Sequence, residues 1–486
     1  MDAQDQLKRG TLWLGSASLV ARLLDVGATL AIVGLLTQAQ MGLGALALST
    51  CAILESLTGI GMGGALVQAK DVSREEESSL FWLISAIGLG LGAIQVALAP
   101  ILAITYAEPL LLPLVAASGL KLLLVGMSLV PLQLLSKSLK FKEIGTVQTL
   151  ASLGEGITKI ALAAGGAGAW ALVAGNVMRG AVLLLALWSV STFRPQLHFA
   201  YEETRRFLRF GLHLAGSSVL FQVYKNADYF LIGKLLGIEA LGLYRVAFDV
   251  AMQPTDAIIA VVGRVGFPVY SRLAGDVQAL RATFLANTRS LFLMVVPVAA
   301  FIFFAAEAML GLLGGGRWAA AAPAVQILVC AGILRAATVL FPQVYVALGR
   351  PQYATLDSAV TLVLLTSSFW FGLRWFPELG VLSVCFAWLL AYPLLLGWHV
   401  LLMHRLVGLE PLRYLRALAS GLAALAPVAL GLFLVSQLAP GQPWAELALL
   451  VATCLGIYWG YLRWVLKIRF RELVPKRVAR SETRDR

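Results

Sequence analysis

About fourteen apolar runs, each of roughly 20 residues or more, follow one another along this chain with only short polar joints between them. As a helix, a run of ~20 residues spans the ~30 Å hydrocarbon core of a bilayer. A helix also satisfies its own backbone hydrogen bonds where no water can do so. The pattern points to an all-α, polytopic membrane protein. Composition agrees: 13% of the residues are charged, against about a quarter in an ordinary soluble domain.

The runs fall at about 11–36, 41–63, 80–104, 109–135, 146–167, 169–191, 210–236, 242–268, 284–311, 324–348, 356–377, 379–403, 417–438 and 446–466. The joints alternate in character. One set is short and poor in Lys and Arg, such as Thr37–Gln40, Thr105–Glu108 and Gly237–Leu241; only Arg317, Lys234 and Arg374 lie on that side. The other set holds most of the 38 Lys and Arg residues, including Lys137, Lys140, Lys142, Arg194, Arg205, Arg405, Arg413 and the tail after Tyr461. The net charge of +12 is therefore a positive-inside signal rather than a nucleic-acid signal. It predicts a cytoplasmic N-terminus, a cytoplasmic C-terminus and an even number of spans. The basic tail from Trp464 reads as an amphipathic helix on the anionic inner leaflet.

Within this apolar frame, Phe210 to Arg264 is anomalous. It reads FGLHLAGSSVLFQVYKNADYFLIGKLLGIEALGLYRVAFDVAMQPTDAIIAVVGR, two spans joined by a short turn, with Lys225, Asp228, Arg245, Asp249, Asp256 and Arg264 inside them. A charge at membrane depth costs roughly 2.5–3.5 kcal/mol on insertion scales, so these groups must face a wet cavity or one another. Elsewhere, Arg22 and Asp25 lie three apart, and Glu155 and Lys159 four apart, each pair on one helix face. Arg179, Arg289 and Arg335 have no local partner, and Glu55 and Asp357 are single acids near span ends. Two readings stay open. Either the pairs neutralise themselves and staple helices together, or they keep an aqueous cavity open while the surplus cations bind an anion. Arg suits a diphosphate, because its planar fork holds two oxygens at once. Pro254 lies mid-span and is either a hinge or a packing kink.

The chain repeats itself. IVGLLTQAQMGLGALA, Ile32 to Ala47, is echoed by LIGKLLGIEALGLYRVA, Leu231 to Ala247; Gly34 matches Gly233 and Gly42 matches Gly242. The offset of about 200 residues is six spans, an even number, so the halves are parallel repeats, a transporter plan with a cleft between them. There is no GxxxxGK[ST] phosphate loop and no outside loop large enough for a glycosyltransferase site, so no enzyme and no catalytic residue is expected. Cys51, Cys330, Cys385 and Cys454 have neither CxxC spacing nor a clustered histidine, which argues against a disulfide framework or a metal site.

The ordered set GTLWLGSASLVARLLDVGATLAIVGLL with GLGALA, LLSKSLKFKEIG, LRFGLHLAG with NADYFLIGKLLG, and LGLYRVAFDVAMQP with FPVYSRLAGD resembles the polysaccharide flippases of the multidrug/oligosaccharidyl-lipid/polysaccharide exporter superfamily. The resemblance covers most of residues 10–350. It implies two six-helix lobes in a V plus two C-terminal helices: an N-lobe at 1–191, a cytoplasmic linker at 192–209, a C-lobe at 210–403, added helices at 404–466 and a basic tail at 467–486. It implies flipping of an undecaprenyl-diphosphate-linked oligosaccharide from the inner to the outer leaflet of the bacterial cytoplasmic membrane. H+ or Na+ is the implied coupling ion, and no other cofactor. Membrane lipids, a polysaccharide polymerase and glycosyltransferases are the implied partners. The alternative is a multidrug exporter of the same fold. Cavity cations of the family hold the diphosphate and acidic sugar groups, a role that the matching positions carry to Arg22 and the Lys225–Arg245 region only; Arg264 is expected to join them because it is a cation at membrane depth. Asp25, Asp228 and Asp249 are the expected ion-coupling carboxylates, on the strength of their burial.

Overall fold

The computed structural model describes residues 3–59, 61–69, 72–423, 425–438, 442–461 and 463. Six spans come first: α1 (Ala3–Leu35), α2 (Gln38–Thr58 continued by Met62–Gln68), α3 (Arg74–Tyr106), α4 (Leu111–Ser118 continued by Leu120–Lys137), α5 (Phe141–Ala164) and α6 (Trp170–Val190). Six more follow: α7 (Tyr201–Leu235), α8 (Ile238–Arg272), α9 (Val277–Leu312), α10 (Ala322–Thr338 continued by Phe341–Ala347), α11 (Pro351–Trp375) and α12 (Val381–Val407). Last come α13 (Pro411–Leu422 continued by Leu425–Leu438) and α14 (Pro443–Gly460). Among the described residues 11 helical segments are long and apolar enough to cross a membrane. The remaining three of spanning length, α1, α5 and α7, carry Arg22 and Asp25, Glu155 and Lys159, and Lys225 and Asp228.

Local chemistry explains several boundaries. Thr37 with Gln40 and Ser73 with Glu76 form reciprocal capping boxes at the starts of α2 and α3. Gly237, at φ 94°, makes the tight joint between α7 and α8, a conformation that a side chain would strain. One boundary differs from expectation. The segment 192–209 is extended only to Ala200, and α7 begins at Tyr201. Its charged first turns are stabilised within the helix, as by the Glu202–Arg205 pair at 3.5 Å; charge keeps a segment out of lipid without breaking a helix. The tail from Trp464 lies outside the described residues.

In the first half α1 packs on α5, α5 on α6, α3 on α4 and α4 on α6. In the second, α7 packs on α11, α8 and α9 on α10, and α10 and α11 on α12. Helices α13 and α14 lean mainly on α9, with α13 also touching α12. Accordingly α9 is 67% buried over its most apolar window and α14 only 11%.

The halves meet where the joints are poor in Lys and Arg. A Cβ on Gly42 would lie 2.0 Å from the Ile238 carbonyl oxygen, and one on Gly242 would lie 1.8 Å from that of Gln38. The repeat-related glycines thus let α2 and α8 cross backbone to backbone, which only small residues permit. Trp318 Nε1 donates to the Val33 carbonyl at 2.7 Å and Arg317 Nη1 to that of Leu36 at 3.2 Å. Lys234 Nζ donates to the Thr105 carbonyl at 2.6 Å and Tyr106 OH to that of Phe230 at 3.1 Å. Two of the basic residues expected on this side are therefore spent on joining the halves. At the opposite end the connector is tied to α3, with Trp82 Nε1 donating to the Gln196 carbonyl at 2.8 Å and the Gln196 amide to Ser78 Oγ at 3.0 Å.

Candidate functional site

Behind the seal lies a cavity of about 400 Å³ that both halves line: Arg22 from α1, Lys121 from α4, Glu155 from α5, Lys225 from α7, and Arg245 and Asp249 from α8. Past Ala52, Glu55, Gln222, Lys225 and Asp256, which border both spaces, it adjoins a larger compartment of about 910 Å³. The walls of that compartment come mainly from α7, α8, α10, α11 and α12 and include Arg335, Asp357 and His399.

Most of the charges here meet a partner. Lys121 Nζ lies 2.7 Å from Glu55, Lys159 Nζ 2.6 Å from Glu155, Arg245 Nε 2.7 Å from Asp249, and Arg335 Nη1 2.8 Å from Asp256. Arg179 Nη1 bridges α5 and α1, 2.7 Å from Glu155 and 3.4 Å from Asp25. Arg179 and Arg335, which have no partner close in sequence, thus find one on a neighbouring helix. Arg22 and Lys225 differ: among the described residues neither has a carboxylate within ion-pair distance. The helix neighbours that could neutralise them are turned elsewhere, Asp25 to Arg179 and Asp228 into the body of the second half.

Asp228 is fully buried. It accepts from Tyr244 OH at 2.6 Å and from the Tyr229 amide at 2.9 Å, while Trp388 Nε1 donates to the same Tyr244 hydroxyl at 2.8 Å. A buried carboxylate is tolerable when hydrogen bonds replace its water, and Asp228 is held that way, away from the cavity wall. The face shared by Lys225 and Asp228 in sequence is therefore not an ion pair. Lys225 Nζ instead stands 5.9 Å from the Phe221 ring centroid, and the Arg245 guanidinium 5.4 Å from that of Tyr229.

Of the expected anion-binding residues, Arg22, Lys225 and Arg245 share one cavity; the side chain of Arg264, on α8, lies outside the described residues. Of the expected coupling carboxylates, Asp249 lines the cavity, Asp25 is held by Arg179, and Asp228 is enclosed. Lys121 is a cavity cation that sequence reasoning passed over, although it stands alone in an apolar run. His399 was equally missed: Tyr345 OH lies 3.2 Å from its Nδ1, and its Nε2 lies 3.3 Å from Asp357 Oδ1. Nothing in the local pattern of α12 marks a lone histidine as facing a carboxylate one helix away.

In fold the chain is similar to a solved structure described as "Lipid II flippase MurJ, inward closed conformation": TM-score 0.74, 11% identity, covering 94% of this chain and 100% of that one. In sequence it is 24% identical over 337 residues to the lipopolysaccharide biosynthesis protein WzxC of Escherichia coli (strain K12), covering 69% of this chain and 68% of that protein. It is 26% identical over 317 residues to the succinoglycan biosynthesis transport protein ExoT of Rhizobium meliloti (strain 1021), with 63% of each covered. The chain thus spans about two thirds of the length of these curated relatives. The profile of the family described as "Polysaccharide biosynthesis protein" matches residues 32–323, more than half of the chain, and the chain belongs to that family.

Proposed function

We propose that this protein is a flippase. It carries an undecaprenyl-diphosphate-linked oligosaccharide, the repeat unit of an O-antigen, capsule or exopolysaccharide, from the inner to the outer leaflet of a bacterial cytoplasmic membrane by alternating access. The observation that carries this reading is the pair Arg22 and Lys225, one from each half, both without a carboxylate partner among the described residues and both lining one cavity. Two free cations at membrane depth are costly unless an anion visits them, and a diphosphate offers two charged groups to two separate anchors. A drug or small-cation exporter would not keep two uncompensated cations there.

The sealed end bears the joints poor in Lys and Arg, while the larger compartment runs toward Ser218, Ile259 and Ala354 on the basic-loop side. With basic loops and both termini in the cytoplasm, this is a state that receives substrate from the inner leaflet. Membrane lipids, the glycosyltransferases that build the glycan and the polymerase that extends it are the partners this role needs. Coupling to H+ or Na+ through Asp25, Asp228 or Asp249 is part of the proposal, with Asp249 best placed because it lines the cavity. The test is export. Arg22→Ala and Lys225→Ala should each abolish surface glycan at normal protein level, and full export by both single variants refutes the assignment.

A further inference from the structure

Away from the central cavity, the connector between α6 and α7 carries a surface of its own. The apolar run of α3 starts at Leu80 and that of α6 ends at Val190, which sets the level of the inner membrane boundary. The connector is fastened at that level. Its Gln196 and Ala200 amides donate to Ser78 Oγ and Ser79 Oγ at 3.0 and 3.1 Å, and its Gln196 carbonyl accepts from Trp82 Nε1 at 2.8 Å. It therefore runs along the boundary rather than out into the cytoplasm. Leu197, Phe199 and Tyr201, two residues apart, are turned outward, 98%, 55% and 52% exposed. A leucine bared between two aromatic rings is costly against water but at home in the interfacial zone of a bilayer, where amphipathic rings collect.

Beside this stripe is a pocket of about 300 Å³ between the start of α3, the end of α4 and the first residues of the connector. Among the described residues its lining carries three cations, Arg74, Lys140 and Arg194, against one acid, Glu77, with the hydroxyls of Ser138 and Thr192 among them. Arg194 is held in place by backbone: its Nη1 donates to the carbonyls of Ser191 and Phe193 at 2.8 and 2.7 Å, and its Nη2 to that of Trp188 at 3.2 Å. These bonds cap the end of α6 and leave Nε and one Nη2 hydrogen unspent. Arg74 and Lys140 form no ion pair among the described residues. A net positive pocket at the level of the inner-leaflet headgroups draws an anion, and a phosphate matches a fixed guanidinium with hydroxyls beside it. Arg194 and Leu197 are three residues apart, roughly 10 Å of extended chain, so pocket and stripe form one surface. We propose that the connector docks on the inner leaflet: Leu197, Phe199 and Tyr201 seat among the lipids, and the adjoining pocket holds the phosphate of one anionic phospholipid. Because this segment joins α6 to α7, the bound lipid ties the joint between the two halves to the membrane. The assignment does not depend on which substrate the central cavity carries.

The test uses the full chain in nanodiscs and has two arms. In the first, native mass spectrometry reads the lipid retained from equimolar phosphatidylglycerol and phosphatidylcholine. The wild-type protein is expected to favour phosphatidylglycerol by about fivefold or more. The double variant Arg74→Ala with Lys140→Ala, both at exposed positions, should lose most of that preference. Arg272→Ala with Arg405→Ala, exposed cations of the second half, should keep it. No preference in the wild type, or an equal loss in the two double variants, overturns the pocket. Complete displacement of the lipid by excess inorganic phosphate also overturns it, in favour of a soluble anion. In the second arm, bimane is attached at Leu197→Cys, and separately at the exposed Gln278→Cys in the first turn of α9, with the four native cysteines replaced by alanine. Nitroxide-labelled lipid should quench most of the fluorescence at position 197 and little at 278. Equal quenching at the two positions overturns the docking and leaves the apolar stripe to a protein partner.

Discussion

Gly42 and Gly242, matched in the internal repeat, meet each other across the boundary between the two halves: the position of a Cβ on Gly242 is 3.0 Å from the Gly42 backbone nitrogen. The repeat thus builds its own seal. Each half contributes the same helix start and the same missing side chain, and backbones cross where any larger residue would hold them apart.

Replacing Gly242 by Ala should therefore prevent the closed end from forming. The added methyl meets the Gln38 carbonyl oxygen at 1.8 Å, and a backbone atom cannot move aside as a flexible side chain can. Export should fall sharply at unchanged membrane insertion. A cysteine placed at Ser49, on the cavity wall, should become reactive toward an impermeant maleimide added from the outside. Full export together with an unreactive Ser49→Cys in the Gly242→Ala background would contradict this.

Arg179 holds α1 and α5 through Asp25 and Glu155. Arg179→Ala should cost about 1–3 kcal/mol, less than the loss of a fully buried pair because its side chain is 37% exposed. Thermal unfolding in detergent should register that loss, whereas Arg22→Ala, with no partner to abandon, should leave the unfolding temperature nearly unchanged. The contrast separates a structural cation from a functional one.

Tyr244→Phe removes the hydroxyl that donates to Asp228 and accepts from Trp388. Of the two hydrogen bonds to the buried Asp228 carboxyl, that of the Tyr229 amide would remain, at a cost of about 1–3 kcal/mol. The double variant Tyr244→Phe with Asp228→Asn should recover part of that loss. No recovery in a double-mutant cycle would mean that the two groups do not act together.

Asp249→Asn is expected to change the pH dependence of glycan export, since an amide takes up no proton in the range where a carboxylate does. It also leaves Arg245 without its 2.7 Å partner, so an overall fall in rate is expected too. The shape of the pH profile, not its height, is the diagnostic. A profile parallel to that of the wild-type protein would remove Asp249 as a coupling site.

The membrane class, the order of the spans and the anomalous charges of α1, α5, α7 and α8 were legible along the chain, because hydrophobic length and the cost of a buried charge are local properties. The repeat glycines were legible as a match, although nothing in the sequence said that they would touch. What spacing could not reveal was who pairs with whom. Lys225 and Asp228 share a helix face, yet α8 supplies Tyr244 to one of them and the cavity takes the other. Arg179 has no neighbour in sequence and two acids in space.

By itself the sequence determined that about fourteen apolar helices must cross a bilayer and that some of their charges must be sheltered from lipid, since a side chain's transfer cost does not depend on what packs beside it. Only the tertiary structure decided which of those charges are spent. Ion pairing acts over a few ångströms between helices distant in sequence, and among the described residues that geometry left Arg22 and Lys225 without a carboxylate partner.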